Sequence, residues 1–305
     1  MKKIIPINYN SSDFDNYIYD ENSVIIEGKE KIDENIVSIK SRITDYESNK
    51  HNLENLQQTV YTVTSDTECK KLSEVSRNNE LYCCLYKLYN SKSNHSKRFK
   101  QSIRDISKKC PYCSIDTPSH LDHYLPRSIF PEFSVLSLNL IHSCSICNSN
   151  YKSDKYLNNH NERLYINPYF DDFIDTIPFL KCKIEVNTRS IYPEFKFYID
   201  ESLQATHDYE YKIVKNHFDN LNLETRYLDQ IVDEKFKRFK NRYIDKERRQ
   251  FKTVTLEQLK DNIQYELDGL DELNINNCEK VFWTSLKSSD ECLYLIVNKQ
   301  ITIKY

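Results

Sequence analysis

Two short cysteine motifs decide the fold of this chain: KCPYCSI at 109–115 and SCSICNS at 143–149. Each contains a Cys-x-x-Cys pair, Cys110 with Cys113 and Cys144 with Cys147, and 30 residues separate the pairs. Two such pairs supply the four thiolates of a tetrahedral zinc site. A segment of about 45 residues cannot be stabilised by its own apolar core, and zinc binding would contribute about 10–16 kcal/mol to its folding. The alternative, four unrelated buried thiols, is disfavoured by the paired spacing.

The segment between the cysteine pairs carries the polar residues that suggest chemistry. It contains LDHYLPRS at 121–128 and LNL at 138–140, and NSNYK at 148–152 follows the second pair directly. In order and approximate spacing, CPYC, LDHYLPRS, LNL and SCSICNSNYK resemble the HNH endonuclease superfamily, also called ββα-metal nucleases. The resemblance covers residues 110–155 of the 305. It implies a ββα-metal unit, a short hairpin followed by a helix, that hydrolyses phosphodiester bonds.

The resemblance implies a role for each matching residue. Asp122 would be a ligand of the catalytic divalent cation, and His123 would be the general base that takes a proton from the attacking water. Asn139 would brace the loop between the two strands and hold His123 in place without touching the substrate. Asn148 stands where the family usually has its last histidine, so the motif reads H-N-N, and Asn148 would be the second ligand of the cation. Oxygen ligands of this kind suit Mg²⁺ or Mn²⁺.

Several residues around the motif have both a functional and a structural interpretation. Arg127 and Lys152 would contact phosphates of the substrate, although Arg127 could equally form a structural salt bridge. Asn148 could instead cap a helix, and an isolated Asp-His pair is most often structural. His120 and His142 are expected to be structural or exposed, because the four cysteines already complete the zinc ligand set.

Two further stretches resemble HNH proteins of bacterial anti-phage defence islands, such as Septu-type systems and retron-associated modules. They are FPEFSVL at 130–136 and INPYFD at 166–171. This resemblance implies a separate ATPase partner protein. The chain has only two glycines, Gly28 and Gly269, which excludes a P-loop and a dinucleotide-binding fingerprint. The missing P-loop is consistent with an ATPase on another chain.

The composition is that of a globular protein without a broadly basic surface. With 23 tyrosines and 14 phenylalanines, the chain is too aromatic to be disordered. Its formal net charge of -3 means that nucleic acid would be bound through local patches. The N-terminal stretch lacks the apolar core of a signal peptide, and no long apolar run predicts a membrane span. We therefore expect a cytoplasmic protein without membrane contact, in which the 10 cysteines are reduced.

The clearest local patch is basic and precedes the first cysteine pair. Residues 92–109 include seven lysines and arginines and one acidic residue, and Phe99, Ile103 and Ile106 recur at helical spacing. This pattern predicts an amphipathic basic helix that contacts a DNA backbone. A second basic face, at 235–249, is interrupted by acidic residues and is more simply the solvated side of a long helix over 228–243.

Other patterns complete the predicted architecture. Residues 70–90 look helical, 181–186 and 195–200 alternate like strands, Thr255 and Gln258 fit a helix capping box, and LYLIVNKQITIKY at 293–305 reads as a hairpin. We predict an α+β fold in which a zinc-stapled ββα-metal unit at 110–155 is embedded in a mainly helical protein with a few C-terminal strands. A mostly helical region, 1–109, would precede it, and a mixed region for docking or DNA contact, 156–305, would follow.

The expected function is that of a divalent-metal-dependent HNH endonuclease that cuts DNA, with structural Zn²⁺ and catalytic Mg²⁺ or Mn²⁺. The setting implied by the second resemblance is an anti-phage defence system with an ATPase partner. One alternative is cleavage of RNA by the same site. Another is a non-catalytic zinc-knuckle module that binds nucleic acid or a partner. The Asp122-His123 pair argues against this last alternative, since a binding module does not need it.

Overall fold

The structure, a computed structural model, describes residues 1–7, 11–18, 28–59, 81–186, 193–245, 250–251, 253–270 and 274–298. Over these residues helices are combined with small antiparallel sheets, which is an α+β arrangement. The chain divides into two compact units. The first comprises Lys3–Tyr112 and Asp116–Asp171, and the second comprises Asp172–Tyr305 together with Met1–Lys2 and Cys113–Ile115.

The first unit is built from helices that surround one short hairpin. Its α-helices are Ser11–Ile18, Lys29–Glu34, Ile36–Ser48, Leu81–Leu88 and Asn94–Arg104. The last of these is the basic helix, and it begins where the sequence provides a cap, because the Ser93 side chain accepts a hydrogen bond from the Ser96 amide. Short 3-10 turns lie at Leu53–Asn55, Pro131–Phe133 and Ser137–Asn139.

The hairpin of the first unit consists of β1, His120–His123, and β2, Leu140–Ser143. The strands are antiparallel, with Leu121 opposite His142 and His123 opposite Leu140. Buried Leu121 and Leu140 pack against Ile103 of the basic helix, which anchors that helix on this face of the hairpin. A π-helix, Ile146–Lys152, follows β2 directly. Apolar packing therefore fixes the basic helix beside the strand that carries Asp122 and His123.

The second unit contains the other main hairpin and most of the C-terminal helices. Strand β3, Leu180–Glu185, pairs with β4, Glu194–Ile199, and this confirms both predicted strands. Two-residue strands at Ile244–Asp245 and Gln250–Phe251 form a further small pair. Helical segments lie at Phe173–Thr176, Glu201–Ala205 (3-10), Asp208–Asn220, Leu223–Tyr227, Leu228–Phe236 (π), Lys237–Asn241, Leu256–Asp268, Cys278–Ser288 and Asp290–Val297.

Local helix signals were the most dependable sequence patterns. The capping box of Thr255 and Gln258 is confirmed, with both reciprocal hydrogen bonds present at the start of Leu256–Asp268. The long helix expected over 228–243 is helical from Leu223 to Asn241, with a π-helical centre. Of the predicted helix over 70–90, Leu81–Leu88 is helical and residues 70–80 lie outside the described residues.

Three expectations differ from the structure. The predicted C-terminal hairpin is wrong: Asp290–Val297 is an α-helix that buries Leu293 and Ile296, and residues 299–305 lie outside the described part. An apolar run of this length fits a buried helix as well as a strand. Except for Met1–Lys2 and Cys113–Ile115, the segments 1–109 and 110–155 lie in one compact unit, and the hairpin shares its apolar core with the basic helix. Cys83 is in a disulfide, so not every cysteine is a reduced thiol.

In the described ranges, no helix has both the length and the apolar character needed to cross a membrane.

Candidate functional site

The four motif cysteines lie together in the structure. Cys110, Cys113, Cys144 and Cys147 are all buried free thiols, and their sulfur atoms lie within 4.8 Å of one another. Zinc–sulfur bonds of about 2.3 Å in a tetrahedron place sulfurs about 3.8 Å apart, which this cluster accommodates. The Cys147 amide donates to the Cys144 sulfur over 3.3 Å, a contact that stabilises a thiolate. The cluster could therefore hold a structural metal such as zinc.

An open cavity of about 400 Å³ lies at the end of β1 and the start of the π-helix. It collects residues from three separate stretches of the first unit, which are the helix Leu81–Leu88 and its exit, the strand β1 with the loop after it, and the π-helix with its exit. The lining residues are Tyr86, Tyr89, Leu121, Asp122, His123, Pro126, Arg127, Ser128, Asn148, Ser149, Ser153 and Asp154. Asp122, His123, Arg127 and Asn148, four of the residues singled out in the sequence, thus meet at one cavity.

His123 is held in one orientation with one nitrogen available as a base. Its Nε2 lies 2.9 Å from the carbonyl oxygen of Ser134. A carbonyl oxygen only accepts, so Nε2 carries the proton and the neutral ring has its lone pair on Nδ1. Burial, and next the positive charge of Arg127, lower the pKa of His123 to about 3. The imidazole is therefore neutral throughout the physiological pH range, whereas its ordinary pKa would leave part of it protonated.

Asp122 lies at the buried wall of the cavity, only 2% exposed. Its Oδ2 accepts a hydrogen bond of 2.7 Å from the Tyr112 hydroxyl, and its Oδ1 lies 3.2 Å from the Lys152 ammonium. Burial and the neighbouring Asp122 raise the pKa of Tyr112 well above its usual value, so the phenol keeps the proton that it donates. Asp122 is thus a carboxylate neutralised by one buried cation and oriented by one hydroxyl.

Lys152 has a different position from the one that the sequence suggested. It is fully buried, and its Nζ donates to Asp122 Oδ1 and, over 2.8 Å, to the backbone carbonyl of His123. A lysine with no exposed surface cannot reach a substrate phosphate, so the expected phosphate contact does not fit this geometry. Lys152 instead ties the last turn of the π-helix to the end of β1, because an ammonium this deep needs partners.

Asn139 fastens the loop that joins β1 to β2. Its side-chain oxygen accepts from the Leu125 amide over 2.8 Å, and its side-chain nitrogen donates to the carbonyls of Leu125 and Phe133 at 3.0 and 3.3 Å. Its own carbonyl accepts from the Tyr124 amide. These bonds fix the chain just after His123 and just before Ser134, whose carbonyl orients the imidazole. Asn139 is buried and is absent from the cavity lining.

Asn148 is placed on the cavity wall by the π-helix. Its amide donates to the carbonyl of Cys144, and its own carbonyl accepts from the Ser153 amide over 2.7 Å. The residue is inside the helix Ile146–Lys152, so it caps neither end. Isolated π-helical turns often occur at functional sites because they turn a side chain out of its regular position. Here Cys147 of the cysteine cluster and Asn148 are neighbours in the same short helix.

Arg127 is clamped between aromatic rings at the mouth of the cavity. Its guanidinium carbon lies 4.1 Å from the ring centre of Tyr86 and 5.4 Å from that of Tyr89. The ammonium of Lys100 lies 4.5 Å from the ring centre of Tyr89 on the same side of the unit. Burial, and then Arg104 and Arg127, lower the pKa of Lys100 to about 8. Across the described residues Arg127 forms no ion pair, so the structural salt bridge considered from sequence is not found there.

Some residues of the site had no clear sequence signal. Tyr89 meets the His123 ring edge-to-face, with centroids 4.7 Å apart, yet it lies 34 positions before it in the chain. The Ser134 carbonyl is a backbone group and leaves no trace in residue identity. Tyr112 occupies a variable position of the first Cys-x-x-Cys motif, which gives no sign that its hydroxyl donates a hydrogen bond to Asp122. Ser134 does lie in the FPEFSVL stretch at 130–136 that the sequence singled out, and all seven residues from Phe130 to Leu136 are buried.

The chain is similar to a phage protein over part of its length. It is 27% identical over 196 residues to protein ea31 of Escherichia phage lambda, a match that covers 60% of this chain and 63% of the phage protein. The matched part is thus less than two thirds of the length of that relative. No protein-family model matches the chain, and no solved structure matches it.

Proposed function

We propose that this protein is a divalent-metal-dependent endonuclease that hydrolyses phosphodiester bonds in DNA. The observation that carries the proposal is the convergence of Asp122, His123, Arg127 and Asn148 on one open cavity beside a four-cysteine cluster. A base, two hard oxygen donors and a fixed cation are the groups that phosphodiester hydrolysis requires. We propose zinc as the occupant of the cysteine cluster, with the purely structural role of holding the hairpin and π-helix together.

In the proposed reaction His123 accepts a proton at Nδ1 from the attacking water. The water oxygen forms a bond to phosphorus, the bond from phosphorus to the 3′ oxygen breaks, and the leaving 3′ oxygen takes up a proton from solvent, so that the products carry a 5′ phosphate and a 3′ hydroxyl. The Ser134 carbonyl keeps the imidazole in the Nε2-protonated tautomer that leaves Nδ1 as an acceptor. The aromatic contact with Tyr89 fixes the ring plane. The orientation of the His123 ring is thus fixed before the substrate binds.

The donor set fits a hard divalent cation. A carboxylate oxygen and an amide oxygen are ligands that Mg²⁺ and Mn²⁺ accept, and Asp122 and Asn148 line the same cavity. Such a cation, when bound, supplies Lewis-acid stabilisation of the charge that develops on the phosphoryl oxygens. Each oxygen of Asp122 already accepts one hydrogen bond but has a further lone pair for a ligand contact. Arg127, stacked on two tyrosines, supplies a fixed positive charge for the phosphate.

A plasmid-nicking assay with Mg²⁺ or Mn²⁺ tests the proposal. Wild type is expected to nick supercoiled plasmid, and His123→Ala is expected to lose nicking by about 100-fold or more, as for removal of a general base. His120→Ala is the matched control, because His120 lies on the same strand, is exposed and is outside the cavity lining. Equal nicking by wild type and His123→Ala would remove the assignment. A 3′ phosphate on the product would contradict the proposed bond cleavage.

One observation favours a second candidate function, a non-catalytic module that binds nucleic acid. Both oxygens of Asp122 are engaged by protein groups, and a buried lysine already neutralises the carboxylate. A site of this kind is complete without a divalent cation. The nicking assay separates the two functions when DNA binding is measured in parallel. Binding without cleavage under every metal condition supports the module, and cleavage that disappears in His123→Ala supports the nuclease.

We also propose that the protein acts in an anti-phage defence system with a separate ATPase partner. The support is the resemblance of the stretches at 130–136 and 166–171, each of which contacts the first hairpin: the Ser134 carbonyl orients His123, and the Tyr169 hydroxyl donates to the carbonyl of Leu140, which lies opposite His123. Plaque assays on cells carrying the gene with its neighbours test this. Protection that disappears in His123→Ala cells and in cells lacking the partner gene is the expected result. Protection that survives either loss contradicts it.

A further inference from the structure

A second cavity, of about 510 Å³, lies at the C-terminal end of the basic helix in the first unit. Its lining includes two cations, Arg104 and Lys108, and the hydroxyl-bearing residues Thr117 and Ser119. The one acidic residue there, Asp105, has its carboxylate bonded over 2.8 Å to the Gln101 amide. Two cations against one carboxylate leave a net positive charge in the lining, and hydroxyl groups lie beside it, which suits an oxyanion ligand.

The basic helix differs from other charged helices of the protein in how its cations are paired. Lys97, Arg98 and Lys108 are exposed, and none of them forms an ion pair within the ranges that the structure describes. In the second unit, by contrast, three exposed helical cations each have a carboxylate within reach: Lys212 with Asp208 at 2.9 Å, Lys215 with Asp219, and Arg238 with Glu234 at 2.9 Å. Three exposed cations without an ion pair in the described ranges thus lie on or just after one helix, in a chain of net charge -3.

The two cavities of the first unit adjoin each other along this helix. Leu121 lines the first cavity, and its direct partner across the hairpin, His142, lines the second. Directly opposed residues in an antiparallel pair are about 5 Å apart. On the helix, Lys100 contacts Tyr89 of the first cavity and Arg104, one turn or about 6 Å further on, lines the second. Cations therefore continue from the first cavity into the second.

This spacing matches a nucleic-acid strand. A strand of duplex DNA carries a phosphate about every 3.4 Å along the helix axis, so sites several ångströms apart accommodate neighbouring phosphates of one strand. We propose that the second cavity and the exposed cations of the basic helix bind the DNA backbone beside the phosphate held at the first cavity. The inference rests on the proposed function, and it adds the surface that positions the substrate.

DNA binding by the full-length protein tests this inference. All variants are made in the His123→Ala background without added divalent cation, and binding of a short fluorescein-labelled DNA duplex is followed by anisotropy across a potassium chloride series. The test variant carries Lys97→Glu, Arg98→Glu and Lys108→Glu. The matched control carries Lys212→Glu, Lys215→Glu and Arg238→Glu, which makes the same change in net charge on the second unit. Circular dichroism melting checks that both variants are folded.

The test variant is expected to raise the Kd by about tenfold or more at low salt. It should also reduce the slope of log Kd against log salt by about three, one for each phosphate that is no longer neutralised by a side chain. The control is expected to change neither. Equal effects of the two variants, an unchanged Kd in the test variant, or tighter binding of an RNA duplex of the same sequence would each overturn the inference.

The result is independent of whether the protein cleaves. If the wild type binds DNA through this surface and never nicks it, the nuclease proposal fails and the surface stands. If the wild type nicks plasmid and the charge-reversed protein with His123 intact binds and nicks equally well, the surface fails and the nuclease proposal stands.

Discussion

The two main hairpins are both antiparallel, but they bury different kinds of residue. In β4 of the second unit Phe197 and Ile199 point inward while Lys196 and Tyr198 are exposed, an alternation typical of a strand stabilised by apolar burial. In the first unit β2 is buried along its whole length, and β1 contributes a buried Asp122. Buried polar groups cost stability unless they are fully bonded. The second hairpin reflects packing alone, whereas the first retains groups that packing does not require.

Each hairpin is also held by a buried asparagine, which makes the comparison testable. Asn139 bonds to the loop of the first hairpin, and Asn276 bonds to the amide at Leu180 and the carbonyls of Ile174 and Ile177 beside the second. Both side chains form hydrogen bonds with buried backbone groups next to a hairpin. They differ in what they hold, since only Asn139 supports the segment that orients His123.

The largest difference is expected when a cysteine ligand is removed. Cys144→Ser should abolish tight zinc binding and remove about 10 kcal/mol of metal-coupled stabilisation, so that β1 and β2 lose protection from amide hydrogen exchange. Cys182→Ser in β3 is the control, because Cys182 is buried but is not in the four-cysteine cluster. The Cys182→Ser variant should keep its zinc, measured by elemental analysis, and the exchange protection of β1 and β2. Equal zinc content in Cys144→Ser and wild type contradicts the metal assignment.

Loss of the buried lysine should have the next largest effect. Lys152→Met leaves Asp122 buried without its cation, which typically costs about 3–5 kcal/mol. The matched variant in the second hairpin is Lys181→Met, which breaks the partly exposed 3.7 Å pair with Asp200 and should cost less than about 1 kcal/mol. Urea unfolding midpoints measure both. Similar losses in the two variants would show that Lys152 and Asp122 are not a tightly held pair.

The two asparagines should give similar stability losses and different activities. Asn139→Ala and Asn276→Ala each leave several buried backbone groups unbonded, at a cost of about 2–4 kcal/mol. Nicking, measured below the unfolding midpoint, should fall in Asn139→Ala and remain near wild type in Asn276→Ala. Comparable nicking activity in both variants would contradict the claim that Asn139 supports the orientation of His123.

The smallest effect is expected from pH near neutrality. Burial and Arg127 lower the pKa of His123 to about 3, whereas an unfolded histidine titrates near 6.5. Between these values the unfolded chain binds more protons, so this residue contributes stability that falls as pH drops below 6.5. NMR of the His123 ring, assigned by comparison with His123→Ala, should show no titration from pH 6 to 8. Arg127→Gln should raise this pKa, and a wild-type ring that titrates near 6.5 would contradict the assignment.

Much of the candidate site could be predicted from sequence, because cysteine spacing is a local and strong constraint. The pairs at 110–113 and 144–147 predicted that four sulfurs would meet, and the structure brings all four together. The strands at 180–185 and 194–199 and the capping box at Thr255 followed equally from local patterns. These features depend on a few neighbouring residues, which is why periodicity and motif reveal them.

Other features depended on distant contacts and were missed. Lys152 reads as a surface cation, but folding places it against Asp122, 30 positions earlier in the chain. Residues 290–297 carry an apolar run that suits a strand or a buried helix, and the packing of the second unit selects the helix. The cation–π contacts of Arg127 with Tyr86 and of Lys100 with Tyr89 likewise join segments that no local pattern connects.

The sequence by itself determined the cysteine cluster, the two short strands around it and the identity of the groups able to act as base and oxygen donors. Ligand spacing and side-chain chemistry are properties of the chain that need no knowledge of packing. Only the tertiary structure decided which of these groups face an open cavity, which are buried in ion pairs, and where unpaired positive charge collects. Those outcomes depend on burial and on partners from remote segments, and burial sets whether a charge is held inside the protein or presented to a ligand.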